Sequence, residues 1–501
     1  MKRLFLLVAL IIPIVAPAQN AWDAFRYSHL NYQGTARSMA LGNAVTALGG
    51  DFGSITINPA GSAIYPYSEI AITPSLANSF SDVTYLGQQT SDRYSKIGLS
   101  HFGYVGSLRS NGRSVSRITF AVGYNKVQDF TSRTSVHLNN STSSWLSSVA
   151  TMTNGIPSAD LEKSDDYNPY FDSNASWRSI LAWDTYLLDL LPGTTDEYIG
   201  ATENLDGYQI SVGGPLDQRF IKESKGSMGE YLFNMGFGMG ERLFAGINLT
   251  FQNVFYSTYE KFQETAKDYT QFQTGFQNFS HTYNQLTTGI GFNIKAGIIA
   301  LPTDNLRLGF SVSTPTWTSL SDEWQESMTA EFNSGNSSSR SPAGNYSYSV
   351  RTPMRFQAGI AYTFGSFGFI SFDYEGVDYR TMKMASGEDN WAFDDENEAI
   401  RYGSDNYHFR YANNFRVGAE VRLSPVSLRA GYNLYGKPED SYSPAQVISA
   451  GIGFRSDGFF MDLGAAYRLA ESEFFTLYDD QLSGMNDLSN LKILLTIGLR
   501  F

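Results

Sequence analysis

Residues 34–64 read GTARSMALGNAVTALGGDFGSITINPAGSAI. This stretch is rich in Gly and Ala and has no strong helical or strand period, whereas a long run of alternating segments follows it. Small side chains suit a backbone that is packed inside a lumen, where each buried backbone group must find a partner. We therefore interpret this stretch as part of a plug, and the rest of the chain as the barrel that it closes.

The composition supports a barrel. Of 501 residues, 15% are aromatic, 17% are charged and 46 are Gly, and the charged share is below the ~25% of globular proteins. Strands that alternate lipid-facing apolar residues with lumen-facing polar residues produce this balance. The net charge of -13 argues against nucleic-acid binding, which needs a basic surface. The absence of Cys excludes disulfides and zinc-thiolate sites.

The N-terminus has the pattern of a secretory signal. Lys2 and Arg3 precede an apolar core at 4–15, and Ala16-Pro17-Ala18 has the small residues of a cleavage site. An uncleaved anchor helix is disfavoured because the apolar run is shorter than the ~20 residues that span a bilayer. No later stretch is long and apolar enough for such a helix. We expect a signal peptide at 1–18, a plug at 19–66 and a barrel at 67–501.

About fourteen segments have strand character. In the last of them, Leu491, Ile493 and Leu495 alternate with Lys492 and Thr496, with Leu494 as the exception. The segments at 408–423 and 281–300 alternate in the same way. The fold class is therefore all-β, a fourteen-stranded antiparallel transmembrane barrel. The predicted spans are 67–78, 94–109, 117–130, 227–240, 242–260, 281–300, 305–317, 346–364, 367–383, 408–423, 426–437, 444–455, 458–472 and 489–501.

The connections alternate between short and long, as the periplasmic turns and extracellular loops of outer-membrane barrels do. A soluble β-sandwich would not be expected to keep this alternation or to leave so many apolar faces without a second sheet. The short connections lie near 110–112, 240–241, 301–304, 365–366, 424–425 and 456–457. The long connections are 79–93, 131–226, 261–280, 318–345, 384–407, 438–443 and 473–488.

The connection 131–226 is too long to lack structure. Within it, Ser176–Leu191 places apolar residues at roughly helical spacing, which predicts a helix on the extracellular side. Two hypotheses stay open. The helix offers an apolar landing surface to a ligand, or it packs on neighbouring loops and closes the barrel mouth.

Ala44-Val45-Thr46-Ala47, Asp51 and Asn58-Pro59-Ala60-Gly61 together resemble the N-terminal hatch of the FadL/TodX family of outer-membrane transporters of hydrophobic compounds. Thr352–Arg355 and Leu428–Tyr432 look like that family's late-barrel patterns. The form of the segment resembles the Bacteroidetes branch. Ser62 stands where the family commonly has Leu, and the extracellular loops match nothing that identifies a ligand.

The resemblance implies a fourteen-stranded barrel with the hatch, here called the plug, inside its lumen. It also implies that ligands are captured at the outer loops and pass through the wall or past the plug. A mobile, gating plug and a static filler are both compatible with the residues, although Gly and Ala allow movement at low steric cost. The candidate gating residues are Gly42, Asn43, Asp51, Asn58, Pro59, Ala60 and Gly61.

Charged residues fall on the polar phase of several strands, where they are expected to face the lumen. Both signs are present, so one hypothesis is a structural network of ion pairs. The other is that an Arg or Lys binds the carboxylate of a ligand in an otherwise apolar pocket. The candidates are Arg355, Asp373, Glu375, Arg416, Glu420 and Lys492.

Nothing in the sequence indicates catalysis. The five His are scattered, and the chain has no HExxH, GxSxG or phosphate loop. The acidic run 394–398 lacks the regular ligand spacing of a calcium site, so a solvated loop is favoured. We expect no enzyme activity, no cofactor and no metal.

The leading hypothesis is passive uptake of small hydrophobic compounds, such as long-chain fatty acids or aromatic hydrocarbons, across the outer membrane of a Gram-negative cell. The alternative is a shuttle barrel of a type IX-secretion-like system that binds protein cargo; a purely structural or adhesive barrel is a third. An apolar pocket continuous with the plug favours transport, whereas a solid lumen with an exposed apolar loop patch favours protein binding. The expected partners are a hydrophobic ligand, membrane lipid with lipopolysaccharide, and the barrel-assembly machinery through the strand that ends at Phe501. We expect a monomer.

Overall fold

The computed structural model describes residues 20–110, 115–387, 392–405, 407–478 and 483–501. The predicted signal peptide at 1–18 lies outside these residues. No helix in the described part of the chain is long and apolar enough to cross a bilayer.

Within the described residues, fourteen antiparallel strands form one closed barrel. Each strand pairs with its neighbours in chain order, and the last pairs with the first. The predicted all-β barrel of fourteen strands is confirmed. The strands are β1 (Glu69–Tyr85), β2 (Gln88–Arg109), β3 (Arg117–Asp129 and Ser132–Ser141), β4 (Leu216–Met239), β5 (Leu243–Ala266), β6 (Phe276–Ala300), β7 (Leu306–Ser313 and Trp317–Phe332), β8 (Gly344–Arg351 and Arg355–Thr363), β9 (Gly368–Asp378 and Lys383–Ser386), β10 (Tyr411–Leu423), β11 (Val426–Tyr435), β12 (Ala445–Ser456), β13 (Phe459–Thr476) and β14 (Ser483–Arg500).

The predicted alternation is present in the wall. In β10, Phe415, Val417 and Val421 are exposed on the outer face, while Arg416 and Glu420 are buried inside. A continuous outer band of exposed apolar side chains is the surface of a barrel that spans a bilayer. Leu494, the exception in β14, faces inward and is fully buried against the plug.

Four strands are interrupted. β3 breaks at 130–131, β7 at 314–316, β8 at 352–354 and β9 at 379–382. Pro315 and Pro353 explain two of the breaks, because proline cannot donate to the ladder. The lower segments of these strands line the plug, and the upper segments lead to the mouth.

Several predicted loops are wrong in length. The connection predicted at 79–93 is a two-residue turn, Leu86-Gly87, with positive φ at both positions. The long excursion predicted at 131–226 covers only 142–215, because β3 and β4 continue into it. The strands project beyond the membrane, where both faces meet polar surroundings and the apolar alternation disappears. The predicted short turns at 240–241, 301–304, 365–366, 424–425 and 456–457 are short in the structure; part of 110–112 lies outside the described residues.

The excursion after β3 folds over the mouth. The first three α-helices of the described chain belong to the plug, and the excursion contains the next three, α4 (Trp145–Thr153), α5 (Pro169–Asp172) and α6 (Trp177–Asp184), with two small hairpins. The helix predicted at 176–191 therefore ends early, and Leu188–Leu190 is a strand. The α6 residues Ile180 and Leu181 are fully buried in an apolar cluster with α4 and the upper ends of β5 and β6. This placement is that of a helix that closes the mouth. The acidic run begins α7 (Asp394–Tyr402).

The plug, residues 20–66, lies inside the barrel. We number its helices apart from those of the loops: p1 (Ala21–Ser28), p2 (Ala36–Ala40), p3 (Phe52–Ile57) and a 3-10 turn, Pro59–Ile64. Asn20 and Asp23 form a capping box at the start of p1. The 3-10 turn contacts β4, β5 and β6 near the short turns, so the plug descends from the mouth side to the opposite end.

Candidate transport pathway: the plug and its cavities

The wall presents a ring of glycines to the plug. Eleven of the fourteen strands each contribute a glycine at which a Cβ would come closer than 3.0 Å to a plug atom. Real Cβ atoms essentially never approach so closely, so plug atoms, backbone at some positions and side chain at others, occupy the space that wall side chains would fill. We call this set the glycine ring: Gly103, Gly123, Gly236, Gly246, Gly297, Gly309, Gly359, Gly418, Gly431, Gly451 and Gly464.

The Asn58–Gly61 segment is the most closely held part of the plug. Asn58 is fully buried, and its Nδ2 donates to Thr46 O (2.7 Å) and to Ile298 O of β6 (3.1 Å). Its Oδ1 accepts from Ala60 N, which begins the 3-10 turn. Pro59 O accepts from Asn234 Nδ2 of β4 at 3.0 Å. The motif therefore joins the plug to two wall strands.

Wall side chains also satisfy backbone carbonyls of the plug. Hydroxyl groups of Ser311, Ser371 and Ser449 donate to Ile57 O, Ala44 O and Ala40 O at 2.7 to 3.1 Å. Arg307 donates to Leu48 O at 2.9 Å. Buried backbone groups are costly when unpaired, so these bonds fix the plug in one position.

Glu420 is the centre of one ion-pair network. Its carboxylate accepts from Arg37 of the plug at 3.0 Å, from Arg429 at 2.7 Å and from Arg422 at 2.8 Å. Arg429 also pairs with Asp462. The carboxylate of Glu420 is fully shielded from solvent, so its charge is balanced only by these cations.

A second network surrounds Glu375. It pairs with Arg355 (3.1 Å) and with Arg416, and Arg355 also donates to Ser28 O at the end of p1. Asp373 lies two residues before Glu375 on β9, and its carboxylate accepts a hydrogen bond from Thr46 N at 2.7 Å. Five of the six candidate lumen charges thus brace the wall or hold the plug.

The remaining candidate gating residues lie within the plug. Gly42 and Asn43 both have positive φ, and Gly42 N lies against Gly431 of the glycine ring. Asn43 Nδ2 donates to Tyr32 O at 2.9 Å. Asp51 begins p3, where it accepts from Gly53 N and from Thr35 Oγ1. These residues shape the plug rather than contact a space open to a ligand, except for Asn43, which borders a cavity.

A cavity of about 260 Å³ lies between the plug and the wall. Apolar groups of Met39, Val447 and Ala466 border it, and so does Lys492, the sixth candidate charge. No ion pair joins Lys492 to any carboxylate in the described part of the chain, whereas the other cations at the cavity, Arg26 and Arg468, pair with neighbouring acids. Lys492 therefore has no ion pair among the described residues, and the nearest opposite charge at the cavity is Asp129, which pairs with Lys126.

A second cavity of about 360 Å³ lies above the first, beneath the folded mouth loops. Its lining includes the aromatic side chains of Trp145, Phe220 and Phe262. Trp145 stacks on Phe262 at a centroid distance of 5.8 Å. Ser132 and Leu488 border both cavities, so the two spaces adjoin and form a path from the mouth region to the plug.

The wall is incomplete beside the lower cavity. The ladder between β2 and β3 ends at His101↔Asn125, and the described residues give no pairing between β2 and β3 on the mouth side of it. There β3 breaks at Phe130-Thr131, and its upper segment packs on the inner face of β1, through Val136 and Leu138 against Val83 and Tyr85. The stretch 93–100 of β2 is thus an open edge, while further up Thr90 and Asp92 bond to His137 and Arg133 in the upper segment of β3. Ile97 on the open edge is 79% exposed.

Sequence reasoning did not find the glycine ring, the open edge or the path. The glycines carry a signal, because Gly297 and Gly418 fall on the polar phase of β6 and β10. The open edge leaves no signal in the sequence, because it depends on which strands do not pair in the folded barrel.

Comparisons with known proteins identify the fold. No family model and no curated protein matches the chain. Among solved structures, the toluene transporter TodX of P. putida aligns over 94% of this chain and 99% of its own, with a TM-score of 0.53 and 12% identity. A FadL homologue of Pseudomonas aeruginosa aligns over the same shares, with a TM-score of 0.52 and 11% identity. The chain has a FadL/TodX-like fold. At this identity the likeness extends to the plugged, fourteen-stranded barrel and not to a ligand.

Among the described residues, no three His, Asp or Glu side chains lie close enough together to hold a metal ion. The acidic residues at the start of α7 lie in its first turn, where their negative charges interact favourably with the positive end of the helix dipole.

Proposed function

We propose that the protein is a passive outer-membrane channel for small hydrophobic compounds. One observation carries the proposal: two adjoining cavities lead from beneath the mouth loops to the plug. Their volumes, about 260 and about 360 Å³, are near the range of small-molecule sites. The FadL/TodX-like fold supports the same class of function, since one of the structures it resembles is a toluene transporter.

The lining of the lower cavity suggests the ligand class. Met39, Val447, Ala466 and Leu488 supply apolar surface, and Lys492 supplies a cation that has no ion pair within the described part of the chain. A long apolar molecule that ends in a carboxylate, such as a fatty acid, matches both features. Aromatic hydrocarbons match the apolar surface alone and would leave Lys492 without a partner.

We propose that the ligand leaves through the wall. The lower cavity borders the break in β3, where the ladder to β2 is missing. The way past the plug is obstructed by the glycine ring, the Glu420 network and the Asn58 bonds. In this proposal, residues 58–61 hold the plug in its closed position. The opening beside β2 releases apolar molecules into the membrane.

The shuttle hypothesis requires a solid lumen and a docking patch on the loops. Single aromatic side chains such as Tyr186 and Tyr208 are exposed there, but isolated apolar residues are normal on protein surfaces. The cavities favour the channel.

The test is native mass spectrometry of protein purified from its own membrane, with chemical identification of what remains bound. Adjacent residues of β13 provide matched variants. Ala466 is opposite Lys492 on the inner face, whereas Ala465 is opposite Ile493 on the outer face. We expect a bound hydrophobic molecule that Ala466→Phe excludes and Ala465→Phe retains. An empty cavity, together with a stoichiometric protein partner, would contradict the channel and support the shuttle.

A further inference from the structure

A basic groove lies on the outer surface of the barrel, away from the plug and its cavities. It has a volume of about 610 Å³ and lies between the breaks in β8 and β9 and the helix α7. Arg351, Arg380, Lys383 and Arg401 line it, and all four side chains are exposed. We call the groove that these four residues line the basic groove.

The height of the groove relative to the membrane follows from its neighbours. On the outer face of β8, Met354, Phe356 and Ile360 are exposed apolar residues of the lipid-facing band. Arg351 lies just beyond them on the mouth side. Its cross-strand partner on β7 is Trp317, which is 52% exposed. Trp at the edge of an apolar band marks the level of lipid headgroups, so the basic groove lies at the headgroups of the outer leaflet.

The register brings two like charges together. Arg351 is directly opposite Lys383 in the β8–β9 ladder. Side chains of directly opposite residues lie on the same face and close to each other, and like charges in this position are destabilising. Among the described residues neither side chain makes an ion pair. An anion between them would relieve the repulsion.

The charge balance of the groove is positive. Among the residues that the structure describes, Glu398 is the acid that lines the groove, and Asp378 pairs with Arg380 at 2.8 Å. Four cations therefore face two carboxylates, on a chain whose net charge is -13. The clustered cations repel one another locally, and Arg is well suited to binding a phosphate that would offset this repulsion.

A hydroxyl-rich surface continues from the groove toward the mouth. A shallow depression of about 660 Å³ there is lined by several Ser and Thr side chains of β6 to β9. Ser349 and Ser347 are two and four residues from Arg351 on the same outer face. Hydroxyl groups donate and accept hydrogen bonds, as saccharide hydroxyls do. Cations at headgroup level with hydroxyls above them match a lipid whose phosphates and sugars are joined.

We propose that the basic groove binds the phosphate of a phosphorylated saccharide lipid in the outer leaflet. Arg351 and Lys383 hold the phosphate between them, Arg380 and Arg401 flank it, and the serine surface contacts the sugar. The acyl chains lie on the apolar band below, beside Met354 and Phe356. This site is separate from the transport pathway, and it fixes the lipid beside β8 and β9.

The test measures retention of bisphosphorylated lipid A by the detergent-purified full-length chain. The variant is R351S/K383S, which changes two exposed side chains and leaves the barrel intact by its heat-dependent gel mobility. The matched control is R242S, because Arg242 is an equally exposed arginine at a turn on the opposite end of the barrel. We expect R351S/K383S to bind lipid A roughly tenfold more weakly or worse, because it loses charge-assisted bonds, and R242S to bind as the wild type does.

Two further probes separate the lipid from a free anion. Dephosphorylated lipid A should bind the wild type and R351S/K383S equally weakly, and millimolar inorganic phosphate should not displace lipid A. The proposal is overturned if R351S/K383S retains lipid A like the wild type. It is also overturned if inorganic phosphate displaces the lipid, because the site would then recognise a free anion.

Discussion

The glycine ring predicts that one methyl group will unseat the plug. In Gly297→Ala the new Cβ would lie 2.9 Å from Asn58 Cγ and 3.1 Å from Pro59 Cδ, and closer still to Asn58 Oδ1. Ordinary contact begins at about 3.4 Å, so the Asn58–Gly61 segment must retreat. Both side-chain bonds of Asn58, to Thr46 O and Ile298 O, depend on its present position.

The magnitude follows from two contributions. Overpacking of a filled interior costs about 1–3 kcal/mol. The two hydrogen bonds of Asn58 contribute about 1 kcal/mol each. A total of about 3–5 kcal/mol would raise the population of the displaced plug at least a hundredfold.

Ion conductance across a planar bilayer reads this population directly. We expect the wild type to be closed and Gly297→Ala to show frequent openings, with the barrel still folded by heat-dependent gel mobility. The control is Gly387→Ala, since nothing lies within 4 Å of a Cβ at Gly387. A Gly297→Ala channel as closed as the wild type would refute the view that glycine contacts seat the plug.

Two further predictions concern the buried charges. Glu420→Gln leaves Arg37 and Arg429 without their shared counter-charge, so it should lower the free energy of unfolding by about 3–5 kcal/mol and the transition temperature in a gel-mobility assay. An unchanged transition temperature would contradict this prediction. The control is Asp304→Asn, which removes an exposed ion pair and should change the transition temperature little. Lys492→Met should slow uptake of a fatty acid and spare that of toluene, with Lys492→Arg close to the wild type; equal slowing of both compounds would remove Lys492 from ligand recognition.

The fold was largely predictable because strand phase is a local property. The alternation in β10 and β14 shows which side chains face the lipid, and a local motif at 42–61 indicated the plug. The upper strand ends were missed because residues such as those at 79–93 are polar on both faces once the strand has left the membrane. The two-residue turn at Leu86 therefore looked like part of a loop.

The candidate site was only partly predictable. Arg355, Glu375 and Lys492 all fall on the polar face of their strands, and the alternation alone does not show which of them form ion pairs and which face a cavity. The register of β8, β9 and β10 brings Arg355 and Arg416 to Glu375. Lys492 instead borders a cavity, where the nearby Asp129 pairs with Lys126. These differences arise from cross-strand pairing over long sequence separations, which one sequence does not reveal.

The most direct test of the channel is uptake of labelled palmitate and toluene by Gram-negative cells that lack other such channels and produce this protein. We expect faster uptake with the wild type and with Ala465→Phe, and uptake near the background with Ala466→Phe, whose side chain fills the lower cavity. Equal uptake through Ala465→Phe and Ala466→Phe, or no uptake through the wild type, would contradict transport by this path.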